Sequence, residues 1–197
     1  MTALKAWWAE ARTNRLFVLG ALLAALVVAL DQLSKQLILH AVRLPVRQQI
    51  ELSSVFDLTY VENRGVSFGL FAGGMVSRVA LSVVSVLVAA YVVRWLGRLH
   101  RRVAALGAGL IVGGALGNLY DRVAYGYVVD FLDFSGIGFP FVFNVADAAI
   151  NVGVACLAWD AFVVVPRLTK AQGGAGFRPP GATGRTAGET TTEAGAP

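Results

Sequence analysis

The sequence predicts an all-α membrane fold. It is a bundle of four transmembrane helices with a small external β-sheet and an interfacial helix on the outer face. Three observations carry the four spans. Of 197 residues, 56% are hydrophobic and only 15% charged, against about 25% charged in soluble domains. Mean hydropathy is +0.64. Four segments approach the roughly 20 apolar residues that a spanning helix needs.

The first segment, Leu16–Leu39, is interrupted by Asp31 and Lys35. It has the basic flank and apolar core of a secretory signal but no small-x-small cleavage site before a soluble domain, so it reads as an uncleaved span. Met75–Val93 carries Arg78 alone, Val103–Tyr120 carries no charge, and Val145–Val165 contains Asp147 and Asp160. With the N-terminus inside, eleven Lys and Arg fall on the cytoplasmic side and five on the other. The positive-inside rule then sets both termini in the cytoplasm. The division expected is a cytoplasmic segment over 1–15, a four-span domain over 16–166 and a disordered cytoplasmic tail over 167–197.

Two external connections remain. Ala41–Gly74 holds the alternating run Phe56-Asp57-Leu58-Thr59-Tyr60-Val61-Glu62, which reads as a strand. Asp121–Asn144 mixes aromatics with Asp130 and Asp133 and is expected to lie along the interface. Trp7, Trp8, Trp95 and Trp159 read as interfacial anchors. Gly109, Gly113 and Gly117 have the spacing that lets helices pack closely.

The net charge of +5 comes without a Lys/Arg run interleaved with aromatics, so nucleic acid is excluded as a partner. The lone Cys156 excludes a disulfide scaffold and a cysteine-ligated zinc site.

The functional signal is depth. Asp31, Lys35, Asn63, Asn118, Asp121, Asp130, Asn144 and Asp147 all map to one level near the outer surface when the four spans are threaded. A charge within lipid costs about 2.5–3.5 kcal/mol on insertion scales, so such groups face a bundle interior and mark function. Oxygen ligands of this kind could hold Mg²⁺ or Ca²⁺. Alternatively, two neighbouring carboxylates share one proton, and the pair can then activate water. Asp130 and Asp147 are the best such pair, since neither has an adjacent cation in sequence. Asp31 and Lys35, four residues apart, read as an ion pair on one helix face. Asp121-Arg122 reads as an interfacial pair, and Asp160 as a group that snorkels or pairs with a loop arginine. A serine–lysine dyad of Ser67 with Lys35 is disfavoured, because Asp31 beside Lys35 favours the charged ammonium.

Five ordered strings then resemble bacterial lipoprotein signal peptidase, the signal peptidase II family. They are Asp31-Gln32-Leu33-Ser34-Lys35, Asn63-Arg64-Gly65-Val66-Ser67-Phe68-Gly69, Gly113 to Arg122, Gly126 to Phe134, and Phe143 to Ile150. The resemblance implies a four-span aspartic endopeptidase of the bacterial plasma membrane. Its substrate would be a diacylglyceryl-modified prolipoprotein, cut on the N-terminal side of the lipidated cysteine. It implies Asp130 and Asp147 as the catalytic pair, with Asn63, Asn118, Asp121, Arg122 and Asn144 orienting the dyad or shaping the pocket. Asp31 and Lys35 take a structural role. No metal or cofactor is implied, membrane lipids surround the protein, and a monomer is expected. The chain departs from the family at Val66, where a smaller residue is usual, and in its long Gly/Thr tail.

Two other classes compete with this reading. A small proton- or ion-coupled transporter would use Asp31 and Asp147 as carriers, but it would need polar groups at successive depths, broken helices or an inverted repeat. A scaffold with a polar core would keep its function after Asp130→Asn.

Overall fold

The computed structural model of the chain describes residues 3–65 and 74–168. Val66 and Ser67, and the tail beyond Leu168, lie outside the described residues.

In hydrocarbon every backbone N–H and C=O must be satisfied within the chain, which makes long apolar runs helical. Four helices have the length and composition to cross a membrane: Arg15–Ala41, Met75–Leu96, Arg102–Ala124 and Val145–Leu168. They are spans one to four below. Span one is helix α2 (Arg15–Gln36) closed by a π-helical turn over Leu37–Ala41. Helices α4 (Met75–Leu96) and α5 (Arg102–Ala124) are spans two and three. Span four is α6 (Val145–Trp159), which passes through a π-helical turn at Asp160–Val164. Two short helices complete the set, α1 (Ala3–Ala11) ahead of span one and α3 (Leu44–Arg47) after it.

Span three is the hub. Two thirds of its apolar window is buried (67%), against 11–28% in the other three, and it packs on all of them. The small residues expected to mediate packing do so. Gly109 lies against span one so closely that a Cβ there would sit 2.5 Å from the Gly20 carbonyl oxygen. A Cβ at Gly117 would come within 2.7 Å of Asp31 Oδ2, so this glycine admits a carboxylate between the helices.

At the end opposite α1, four strands form one antiparallel sheet in the order β1 (Gln49–Glu51), β2 (Asp57–Asn63), β3 (Val128–Asp133), β4 (Val142–Phe143). The strand expected around residues 56–62 is β2. The connection between spans three and four, expected to lie along the interface, carries β3, a 3₁₀ turn at Ser135–Ile137 and β4, and the short helix at this end of the bundle is α3. A bulge in β2 separates the Leu58↔Leu132 and Val61↔Asp130 pairs. Strand alternation then puts Asn63 on the face that carries Asp130. Val129 and Phe131 point the other way and pack with Ile38 and Leu44.

At the α1 end, Trp7 and Trp8 both meet Phe17 edge-on, at 6.0 and 5.9 Å between ring centroids. Asp160 pairs with a loop arginine: Arg101 Nη2 lies 2.6 Å from Asp160 Oδ2, and Nε donates to both carboxylate oxygens. That bond holds the Arg101 guanidinium firmly in its charged form.

Candidate active site

Asp147 stands in the first turn of span four. Asn144 caps this helix, its Oδ1 accepting the Asp147 backbone N–H at 2.9 Å. An acidic residue suits this end of a helix, where unpaired N–H groups carry partial positive charge. Asp130 comes from the middle of β3, with only 1% of its surface exposed. The two carboxylates reach one cavity of about 430 Å³, walled on its apolar side by Phe139, Phe141, Phe143 and Ile150.

Three asparagines hold the pair. Asn144 Nδ2 donates to Asp130 Oδ1 at 2.6 Å, and Asn63 Nδ2 donates to Asp130 Oδ2 at 3.0 Å. Asn118 Nδ2 donates to Asp147 Oδ1 at 2.7 Å, while its own Oδ1 accepts from Asn144 Nδ2 at 3.2 Å. Asn144 therefore caps one aspartate's helix with its oxygen and grips the other aspartate with its nitrogen. Burial, and then the negative charge of Asp147, push the Asp130 carboxyl up to about 7, against the opposing effect of the Asn63 and Asn144 donors.

Behind the pair lies a buried ionic cluster. Lys35 Nζ is 2.8 Å from Asp31 Oδ2 and 2.8 Å from Asp121 Oδ2, and all three side chains are fully buried. Asp31 Oδ1 accepts the backbone N–H of Ala146 at 2.9 Å, next to Asp147. Asp121 Oδ2 accepts the backbone N–H of Val129 at 3.1 Å, next to Asp130. Each carboxylate thus fixes the residue preceding one of the two aspartates, and one ammonium ties the carboxylates together.

Asp121 consequently does not pair with Arg122. Adjacent helix positions point in different directions, and Asp121 turns inward to Lys35. Arg122 lies within electrostatic reach of Asp147, Asp130 and Asp121, and its Nη1 meets the Asn118 carbonyl oxygen at 3.4 Å. It is the cation near the pair that residue order alone does not place. Sequence reasoning also passed over Gln32, whose Nε2 donates to Asp121 Oδ1 at 2.9 Å and Asp31 Oδ2 at 3.1 Å. Its position between Asp31 and Lys35 in a charged turn of a span was the available signal. Ser67 lies outside the described residues, and Lys35 is engaged by two carboxylates. Among the described residues no three His, Cys, Asp or Glu side chains are grouped as a metal site requires.

Four helices of spanning length with two aspartates facing one cavity have the makings of an aspartic hydrolase set in a membrane. Comparison with known proteins narrows this class. The family model for signal peptidase (SPase) II matches residues 23–163. The lipoprotein signal peptidase of Caulobacter vibrioides is 46% identical over 142 residues, covering 72% of this chain and 84% of its own. That of Methylobacterium sp. is 44% identical over 169 residues, covering 85% and 99%. Among solved structures, a bacterial membrane enzyme determined by the in meso method at 2.3 Å aligns with a TM-score of 0.62 and 25% identity, over 81% of this chain and 93% of that one. A second, at 1.9 Å, gives 0.64 and 26% over 73% and 92%. The chain belongs to the signal peptidase II family. It is a multi-pass membrane peptidase, and none of these relatives supports the transporter reading.

Proposed function

We propose that this chain removes signal peptides from diacylglyceryl-modified prolipoproteins, cutting on the N-terminal side of the lipidated cysteine with a water molecule activated between Asp130 and Asp147. Family membership supports the substrate class. The observation that carries the chemistry is the cavity onto which both carboxylates open, polar at Asn63, Asp130 and Asp147 and aromatic at Phe139, Phe141 and Phe143. A lipid-anchored peptide could enter such a cavity along the apolar wall while its scissile carbonyl meets the aspartates. Asp130, whose carboxyl titrates near 7, holds the shared proton and donates it toward the carbonyl oxygen. Asp147 takes a proton from water as the oxygen attacks. The tetrahedral intermediate then collapses as the leaving amine is protonated. Asn63, Asn118 and Asn144 orient the pair, and Arg122 balances the charge that develops.

The catalytic unit spans residues 16–166 and acts as a monomer among membrane lipids. The excess of Lys and Arg on one side supports a topology with both termini in the cytoplasm and the dyad near the outer surface of the plasma membrane.

The test is cleavage of a synthetic prolipoprotein by the purified protein in detergent, read by mass spectrometry. The expected product begins at the lipidated cysteine, and chelator leaves the rate unchanged. Cleavage at another bond, or equal cleavage of the unlipidated peptide, would overturn the reading.

The rate has a pH signature. The dyad works with one proton, so kcat/KM falls as pH rises through about 7 and Asp130 loses that proton. Asn63 donates to the charged carboxylate and so holds this titration down. Asn63→Ala is expected to carry the alkaline limb to higher pH while lowering kcat. A limb that stays in place would show that Asn63 does not act on Asp130.

A further inference from the structure

A second cavity, of about 270 Å³, opens at the sheet end of the bundle between the start of span two and the end of span three. Arg64, Arg78, Tyr125 and Tyr127 line it, and among the described residues no carboxylate does. Arg78 Nη2 donates to the Val123 carbonyl oxygen at 2.8 Å, and no salt bridge among the described residues includes Arg78. Arg64 lies 5.7 Å from the Tyr127 ring centroid and pairs with Glu62, which stands outside this cavity. The backbone makes room for the second guanidinium: Gly126 has φ +87°, and a Cβ there would sit 3.3 Å from Arg78 Nη1.

Arg78 enters no ion pair among the described residues and Arg64 shares its charge with Glu62, so the two guanidiniums leave a net positive charge at the cavity that favours an anion, and their planar donor forks match phosphate oxygens best. The surroundings say which phosphate. Met75, at the cavity's edge, is 71% exposed, and the stripe Val76, Val79, Val83 runs exposed down the same helix. On span three, Tyr120 and Val123 are exposed beside it. In a membrane these surfaces meet acyl chains, which makes the cavity the polar head of an apolar track.

We propose that this cavity binds the phosphate headgroup of an anionic phospholipid whose acyl chains lie along the exposed side of span two. The site is separate from the carboxylate cavity, with which it shares no lining residue. Arg64 also borders a third cavity, of about 480 Å³, that reaches Asp130. A lipid held here therefore sits beside the peptidase site without entering it.

The experiment is native mass spectrometry of the purified full chain titrated with dioleoyl phosphatidylglycerol or dioleoyl phosphatidylcholine. Wild type is expected to retain the anionic lipid about tenfold better, a difference near 1.4 kcal/mol. Arg78→Gln should remove most of that preference while cleaving prolipoprotein in detergent at the wild-type rate, which shows that the variant is folded. Arg94→Gln, at the opposite end of span two, should leave the preference intact. Equal retention of the two lipids overturns the proposal, as does an unchanged preference in Arg78→Gln. Loss in Arg94→Gln equal to that in Arg78→Gln would mean unspecific charge attraction and also overturns it. Displacement of the lipid by millimolar inorganic phosphate would make the cavity a site for free phosphate instead.

Discussion

Asp130→Asn and Asp147→Asn should each lower prolipoprotein cleavage by about 10³-fold or more, while Ser67→Ala leaves it near wild type. Each asparagine keeps the shape of the carboxyl group but can neither take a proton from water nor pass one to the leaving amine. General acid–base catalysis is worth about 10²–10⁴-fold, and losses within one catalytic unit do not add. The double variant should therefore be little worse than either single one. Residual cleavage within tenfold of wild type in Asp130→Asn would sink the dyad.

The same variant carries a control for folding. Asp130 is pushed up from 3.8 to about 7 in the folded protein. Between those values the folded chain holds a proton that the unfolded chain has released, so stability falls as pH rises through that window. Asp130→Asn removes the titration. Its melting temperature should decline less than that of wild type between pH 5 and pH 8. A dead enzyme with this altered slope is a folded one that has lost its chemistry.

The second large effect belongs to Lys35. Lys35→Met leaves Asp31 and Asp121 buried without the ammonium that lies 2.8 Å from each. Removing one partner from a buried ion pair costs about 3–5 kcal/mol, because the remaining charge is stranded. The expected result is a large drop in melting temperature together with loss of cleavage. Converting all three residues, as Asp31→Asn, Lys35→Met and Asp121→Asn, should recover much of the stability, since no charge is then stranded. Activity should not return with it, because neutral amides hold the Ala146 and Val129 N–H groups less tightly than carboxylates do. If Lys35→Met melts with wild type, the cluster is not what holds the fold.

The spans and the shared level of the polar groups were legible in the sequence because both rest on one strong term, the cost of placing charge in lipid. Strand β2 was legible too, since the run Phe56 to Glu62 largely alternates apolar and polar residues. Strand β3 was not. Its residues Val128 to Phe131 are buried on both faces, so the period-two pattern that marks a half-exposed strand is missing. The partner of Asp121 was misread for a related reason: sequence adjacency suggested Arg122, whereas helix geometry turns the carboxylate toward span one. Gln32 escaped notice because an amide inside a span carries no charge to explain.

The Lys35 tie has a consequence for how the enzyme comes into being. The residue before Asp147 is held from span one, and the residue before Asp130 is held from span three. These two anchors meet at two side chains of span one, the Lys35 ammonium and the Gln32 amide. A chain still being threaded into the membrane, with its last helix not yet docked, has the first anchor without anything to grip. With Asp130 and Asp147 as the proposed pair, hydrolytic competence would then wait for span four to dock.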